Sequence, residues 1–94
     1  MVETLIFSFD RPVSAAEFRS LADQTDWARE RLEPDIVLVL QGCFAVLGVW
    51  DGDRLIGVAR VISDGVYNAQ VVDVIVDEAY RARRITFQMH PRYL

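Results

Sequence analysis

The 94-residue chain is long enough for one domain with a single hydrophobic core and too short for two. Apolar residues make up 52% of it, a content that excludes an intrinsically disordered protein. The net charge of −4 is unevenly spread: residues 1–80 contain fourteen acids and six arginines, whereas residues 81–94 contain four arginines and no acid. An acidic body with a basic end predicts a local anion site and argues against a nucleic-acid partner.

Targeting signals and metal ligands are not apparent in the sequence. No stretch approaches the roughly 20 apolar residues that a membrane span needs, and the acidic start MVETLIFSFD lacks the basic residues of a signal peptide. The single cysteine, Cys43, has no Cys or His neighbour at metal-ligand spacing and is expected to be a small core residue. We therefore expect a cytoplasmic chain with no membrane partner and no metal.

The first two elements are predicted from local patterns. Residues 4–9 alternate and are rich in β-formers, which indicates a strand. Ser14 and Glu17 have the spacing of a capping box, in which the two side chains satisfy the opening backbone N–H groups of a helix. We expect that helix over residues 15–24.

The next region is less clear. Thr25 or Asp26 can cap a second helical stretch through Leu32, and Pro34 interrupts it because an interior proline removes a backbone donor. Residues 35–40 are too uniformly apolar for their periodicity to decide between strand and helix.

The second half is predicted to be β-structure. Residues 44–50 and 54–62 are β-rich runs on either side of Asp51-Gly52-Asp53, and Asp-Gly favours a tight hairpin turn between antiparallel strands. A further strand is expected over residues 69–76. The order β, α, α, β, β, β predicts an α+β fold in which helices pack on an antiparallel sheet.

Strict alternation along the last strand predicts its two faces. The core face is expected to carry Val72, Val74 and Val76. The other face, which either meets water or lines a site, is expected to carry Val71, Asp73, Ile75 and Asp77.

Two segments together carry a family resemblance: WDGDRLIGVARVISDG at residues 50–65 and VVDVIVDEAYRARRI at residues 71–85. They resemble the hairpin, the following strand and the start of the cofactor loop in the GNAT superfamily of N-acetyltransferases, particularly its small bacterial members. The resemblance covers about residues 3–85, and residues 86–94 diverge from it. It implies a single truncated acyl-CoA N-acyltransferase domain over residues 1–94, corresponding to the N-terminal part of a family domain.

The resemblance also implies acetyl-CoA as cofactor and an amine, on a small molecule or a protein, as acceptor. The cofactor-binding residues that it implies are Val74, Ile75, Val76, Arg81, Ala82, Arg83, Arg84, Ile85 and Thr86. Arg81 matches the first position of the family's phosphate-binding turn, but Ala82, Arg84 and Thr86 stand where glycines are usual. Two interpretations remain open: the arginines bind phosphate through their side chains, or the turn is a solvated basic loop.

The chemistry implied for the last strand has two parts. Backbone donors at residues 74–76 would polarise the thioester carbonyl. Asp73 is the candidate general base for the acceptor amine, and the alternative is a carboxylate with a surface or loop-bonding role.

An unpaired strand edge and an uncovered apolar face predict self-association as a homodimer or higher homo-oligomer. The residues expected to be buried in it are Val72, Val74, Val76, Phe87 and Leu94. Two main functions remain open: an N-acetyltransferase, with or without self-association to complete its site, or a non-catalytic remnant that acts as an oligomerising interaction module. A small anion or nucleotide sensor built on the arginines is a third.

Overall fold

The computed structural model describes residues 5–83, which form an antiparallel sheet with two helices packed against one face. The strands are β1 (Ile6–Ser8), β2 (Ala45–Asp51), β3 (Arg54–Ser63) and β4 (Ala69–Val76). The helices are α1 (Ala15–Ala22) and α2 (Glu33–Gly42), and a 3-10 turn, Glu78–Arg83, follows β4. The described strands pair in the order β1-β2-β3-β4, and each pair is antiparallel. The predicted α+β class is confirmed.

Helix α1 begins at the predicted capping box. The Ser14 hydroxyl accepts a hydrogen bond from the Glu17 backbone N–H, and the Glu17 carboxylate accepts one from the Ser14 N–H, each at 3.1 Å. The helix then buries Phe18, Leu21 and Ala22 against the sheet. The capping box thus marks the start of this eight-residue helix, and the apolar stripe is the side that packs against the sheet.

The predicted second helical stretch through Leu32 is wrong. The α1–α2 loop, residues 23–32, contains turns and no helix, and Glu30 in it has a φ of 67°, a left-handed conformation that cannot continue a helix. Helix α2 starts after this loop, with Pro34 in its first turn, where a proline has no hydrogen bond to lose. Residues 35–40, which the sequence left undecided, are helical.

The β2–β3 hairpin is confirmed. Asp51 pairs with Arg54 across the turn, and Gly52 has a φ of 59°, which the predicted Asp-Gly turn requires. The Cβ-free Gly48 lies under the Trp50 indole, where an added Cβ would be 2.7 Å from Nε1. The sheet therefore needs glycine at this position for steric room.

Buried residues form one cluster on each face of the sheet. The cluster beneath the helices consists of Phe18, Leu21, Ala22, Ala28, Ile36, Trp50, Leu55, Val58 and Ile75. The cluster on the opposite face consists of Leu47, Val49, Ile56, Ala59, Val76 and Tyr80. Each cluster includes one residue from the end of β4, Ile75 in the first and Val76 in the second, so this end of the strand is packed on both faces.

The predicted alternation along β4 holds for Val74 and Val76, which pack on one face, and is wrong for the residues before them because the strand contains a bulge. Between the pairs Val58–Ile75 and Arg60–Val72, β4 contributes two residues where β3 contributes one. One extra residue reverses the alternation, so the second cluster is packed by Val71 together with Val74 and Val76.

One argument for the predicted self-association, the need to bury Val76, is not supported by the structure. Val76 is already 5% exposed within a single chain, so no partner is needed to bury it. Phe87 and Leu94 lie outside the described residues. The oligomeric state itself stays a prediction.

Candidate functional site

A cleft of about 350 Å³ runs along the outer edge of β4. We call it the edge cleft, and its lining residues are Gln24, Thr25, Asp26, Trp27, Val74, Ile75, Val76 and Arg81. The first four belong to the α1–α2 loop, and the others to β4 and the turn that follows it. Within residues 5–83, β4 pairs only with β3, so backbone groups on its other side face this cleft.

The direction of the β4 backbone follows from two hydrogen bonds. The Asp77 N–H donates to the Ile56 carbonyl at 2.8 Å, so residue 77 points towards β3. Successive residues of a strand point to opposite sides, and the Val76 carbonyl indeed accepts a hydrogen bond from Arg81 Nε at 2.9 Å on the outer side. The Val76 N–H therefore faces the edge cleft, whereas Ile75 is directed at its β3 partner, Val58.

Four of the predicted cofactor residues are thus brought together around one cleft: Val74, Ile75, Val76 and Arg81. Arg81 is exposed, and it uses Nε for the bond to Val76 while its terminal nitrogens bind no acceptor among the described residues. A guanidinium in this setting retains donors suited to an anionic group.

The remaining predicted turn residues are only partly described. The backbone of Ala82 and Arg83 belongs to the Glu78–Arg83 turn, and Arg84, Ile85 and Thr86 lie outside the described residues. Whether the arginines there bind phosphate or are solvated stays open.

Asp73 lies at the β4 bulge and binds two arginines. Arg31 Nη1 and Nη2 donate to its two oxygens at 2.9 and 3.2 Å, and Arg60 Nε donates at 2.7 Å. Burial by itself raises the pKa of this carboxyl, but the hydrogen bonds and charges of Arg31 and Arg60 outweigh that effect and lower it. A lowered pKa makes the carboxylate a weaker base, and the general-base role predicted for Asp73 stays a prediction.

Asp77 is a second buried carboxylate, four residues further along. Its Oδ2 accepts hydrogen bonds from Gln24 Nε2 at 3.2 Å and Arg54 Nη2 at 2.9 Å, and its Oδ1 accepts one from the Ala79 N–H at 2.9 Å. Burial raises its pKa, and these three donors together lower it below its usual value. Asp77 thereby caps the Glu78–Arg83 turn and ties it to the α1–α2 loop.

The sequence interpretation missed the partners of both carboxylates: Gln24, Arg31, Arg54 and Arg60. Arg31 and Asp73 are 42 residues apart, and Gln24 and Asp77 are 53 apart. No local spacing joins residues so distant. The available signal was weaker: an arginine, Arg60, inside an otherwise apolar strand implies a buried counter-charge.

Two further observations concern ligands and membranes. Residues 5–83 contain no group of three or more His, Cys, Asp or Glu side chains arranged to hold a metal ion. In the same part of the chain, no helix is long and apolar enough to cross a membrane.

Comparisons with known proteins agree on the fold. No family model matches the chain. The soybean (Glycine max) protein named histone acetyltransferase TAP1 is 29% identical over 93 residues, which is 87% of this chain and 40% of that protein. Among solved structures, a GNAT-family protein of Xanthomonas campestris has a TM-score of 0.81 at 24% identity, covering 97% of this chain and 65% of that one.

A second solved structure, the GNAT-family acetyltransferase SP0256 of Streptococcus pneumoniae, has a TM-score of 0.71 at 24% identity and covers 94% of this chain and 62% of that one. The chain thus spans less than two thirds of each of these relatives. The resemblance predicted from the sequence is confirmed: the chain has the fold of a large part of a GNAT-family acetyltransferase.

Proposed function

Because the chain has this fold, we propose that it is a single domain over residues 1–94 that binds acetyl-CoA and transfers the acetyl group to an amine. The observation that carries the proposal is the outward-facing backbone of Val76 in the edge cleft. Within residues 5–83 the outer edge of β4 is unpaired, and it is bordered by a cleft and an arginine. An open backbone donor and a guanidinium fit a thioester carbonyl and an anionic group.

Acetyl-CoA would supply the activated acetyl group as a thioester. In the proposed reaction the Val76 N–H donates to the carbonyl oxygen, where negative charge develops as the amine attacks. Acetyl transfer would form a C–N bond in place of the C–S bond, release coenzyme A as a thiolate and remove one proton from the amine. The acceptor of that proton is left unassigned: Asp73 is the candidate from the sequence, but its oxygens are held by Arg31 and Arg60 and it does not line the edge cleft.

Arg81 is proposed to bind an anionic part of the cofactor through its terminal nitrogens. Arg83, Arg84 and the backbone of Ala82, Ile85 and Thr86 would extend this site by the resemblance. The acceptor is an amine of a small molecule or of a protein, and a protein acceptor gains support from the soybean relative, which is named a histone acetyltransferase.

A non-catalytic interaction module, self-associating as a homodimer or higher homo-oligomer, is the second candidate. One observation favours it: Arg81 Nε already occupies the Val76 carbonyl at the strand edge. If Arg81 stays bound to the Val76 carbonyl, the turn itself covers the strand edge, and the edge cleft does not serve as a ligand site.

Calorimetric titration of the full chain with acetyl-CoA separates the two candidates. We expect binding that weakens about tenfold or more in Arg81→Ala, the loss of one or two charge-assisted hydrogen bonds. The matched control is Arg29→Ala, which removes an exposed arginine of the α1–α2 loop that does not line the edge cleft. Absence of heat, with no retention on immobilised coenzyme A, contradicts acetyl transfer and leaves the interaction module.

A further inference from the structure

The cleft-facing segment of β4, residues 74–76, lies between two carboxylates that are bound in the same way. Asp73 precedes the segment and Asp77 follows it. Each carboxylate is held by an arginine of β3 and by a residue of the α1–α2 loop. The β3 arginines are Arg60 and Arg54, and the loop residues are Arg31 and Gln24.

We call each carboxylate with its bound partners an anchor. At the first anchor, both the bulge and the ion pairs depend on Asp73. Asp73 has a φ of 50°, a left-handed conformation that costs most residues energy and that Asp tolerates better than most. Its side chain is 8% exposed and Arg60 is 14% exposed, so this pair is largely shielded from water. Arg31 also lies over the Trp27 ring, 5.9 Å from its centroid, which connects the anchor to a wall of the edge cleft.

At the second anchor, Gln24 bridges the loop and the turn. Its Nε2 donates to Asp77, and its Oε1 accepts from the Glu78 N–H at 2.9 Å. The Asp77 side chain is 6% exposed, and Arg54 lies on its solvent side, 63% exposed. One glutamine thus sets the distance between the end of α1 and the start of the Glu78–Arg83 turn.

We propose that Asp73 and Asp77 are positioning residues that hold the α1–α2 loop across the outer edge of β4, fixing the width of the edge cleft and the direction of the Val76 N–H. The oxygens of Asp73 are already engaged by three donors, an arrangement suited to anchoring more than to proton transfer. We call this arrangement, the two carboxylates holding the loop against β4, the clamp. Its effect on catalysis rests on the proposed function, whereas its effect on the structure does not.

The test uses variants on the loop side of each anchor, Arg31→Gln and Gln24→Ala, so that both carboxylates remain. Arg29→Gln is the control, because Arg29 belongs to the same loop, is exposed and forms no ion pair with a described residue. Hydrogen–deuterium exchange of the full chain without ligand is measured first. We expect the backbone amides of Ile75 and Asp77, which are directed at β3, to exchange about tenfold faster in both variants, and at the wild-type rate in the control.

The second measurement reads the Val76 N–H directly. In wild-type chain saturated with [1-13C]acetyl-CoA, the carbonyl carbon should resonate downfield of the free ligand, because a hydrogen bond polarises it. We expect this displacement to be lost in Arg31→Gln even at saturation, and retained in Arg29→Gln. Loss of the displacement at full occupancy is not produced by a general loss of stability.

The outcomes are separable. Exchange in Arg31→Gln and Gln24→Ala that matches the control overturns the clamp, as does a wild-type carbonyl displacement in Arg31→Gln. A wild-type chain that does not bind acetyl-CoA contradicts the proposed function, while the exchange result still decides the clamp.

Discussion

Replacement of Asp73 by alanine tests whether a buried ion pair holds the β4 bulge. The change removes the carboxylate that neutralises Arg60, whose side chain is 14% exposed, and Arg31, whose side chain is 32% exposed. It also places alanine at a φ of 50°, a left-handed conformation that alanine tolerates less well than aspartate. Both effects destabilise the folded chain.

The magnitude follows from these two effects. Removing one partner of a buried pair costs about 3 kcal/mol at the low end, suited here because Arg31 is partly solvated. The left-handed backbone adds about 1 kcal/mol. The expected loss for Asp73→Ala is therefore about 4 kcal/mol, out of a total of about 5–14 kcal/mol for a chain of this length. Asp73→Asn, which tolerates the backbone conformation, should lose about 1 kcal/mol less.

The assay is urea unfolding of the full chain, followed by the fluorescence of its two tryptophans, of which Trp50 is buried. Asp53→Ala is the control, because the Asp53 side chain is fully exposed and its 3.9 Å contact with Arg11 should contribute nothing measurable. A loss below about 1 kcal/mol in Asp73→Ala would show that the cluster behaves as a surface ion pair and would refute this reasoning.

Three further predictions concern pH and packing. The pKa values of Asp73 and Asp77 are lowered in the folded chain. Their ion pairs therefore stabilise it fully above the unfolded pKa of about 4, and this stabilisation is lost as the pH falls through the folded pKa values. The free energy of unfolding should therefore fall below about pH 4, and less steeply in Asp73→Asn; identical slopes in urea titrations would contradict this. Gly48→Ala should lower stability by about 1–3 kcal/mol, since its Cβ would be 2.7 Å from Trp50 Nε1, and an unchanged thermal midpoint would argue against that contact. Gly42→Ala, whose Cβ would meet nothing within 4 Å, should leave the same midpoint unchanged or raise it.

The parts of the fold that the sequence predicted are those determined by neighbouring residues. The capping box of Ser14 and Glu17 is local, and so is the Asp-Gly turn at Gly52. Pro34 was interpreted wrongly because a proline that ends one helix and a proline that begins another look alike without the intervening backbone, and the left-handed Glu30 decides between them.

The candidate site was predicted less completely, because its geometry depends on distant residues. The family resemblance pointed to residues 74–76, but the extra residue at the bulge changed which face the residues before it occupy, and nothing in the strand's own alternation indicates it. The role suggested for Asp73 drew on its position alone, whereas its pKa depends on Arg31 and Arg60, which fold to it from the α1–α2 loop and from β3.

The most direct test of acetyl-CoA binding at the outer edge of β4 is a 1H–15N NMR titration of the full, isotope-labelled chain with acetyl-CoA. We expect the largest shift at the Val76 amide, with smaller ones at Val74, in the Glu78–Arg83 turn and at Gln24 and Trp27 across the edge cleft. The Ile75 amide, directed at β3, should move less than either neighbour. Shifts absent from residues 74–76 at saturation, or confined to other parts of the chain, would contradict the assignment of this cleft as the acetyl-CoA site.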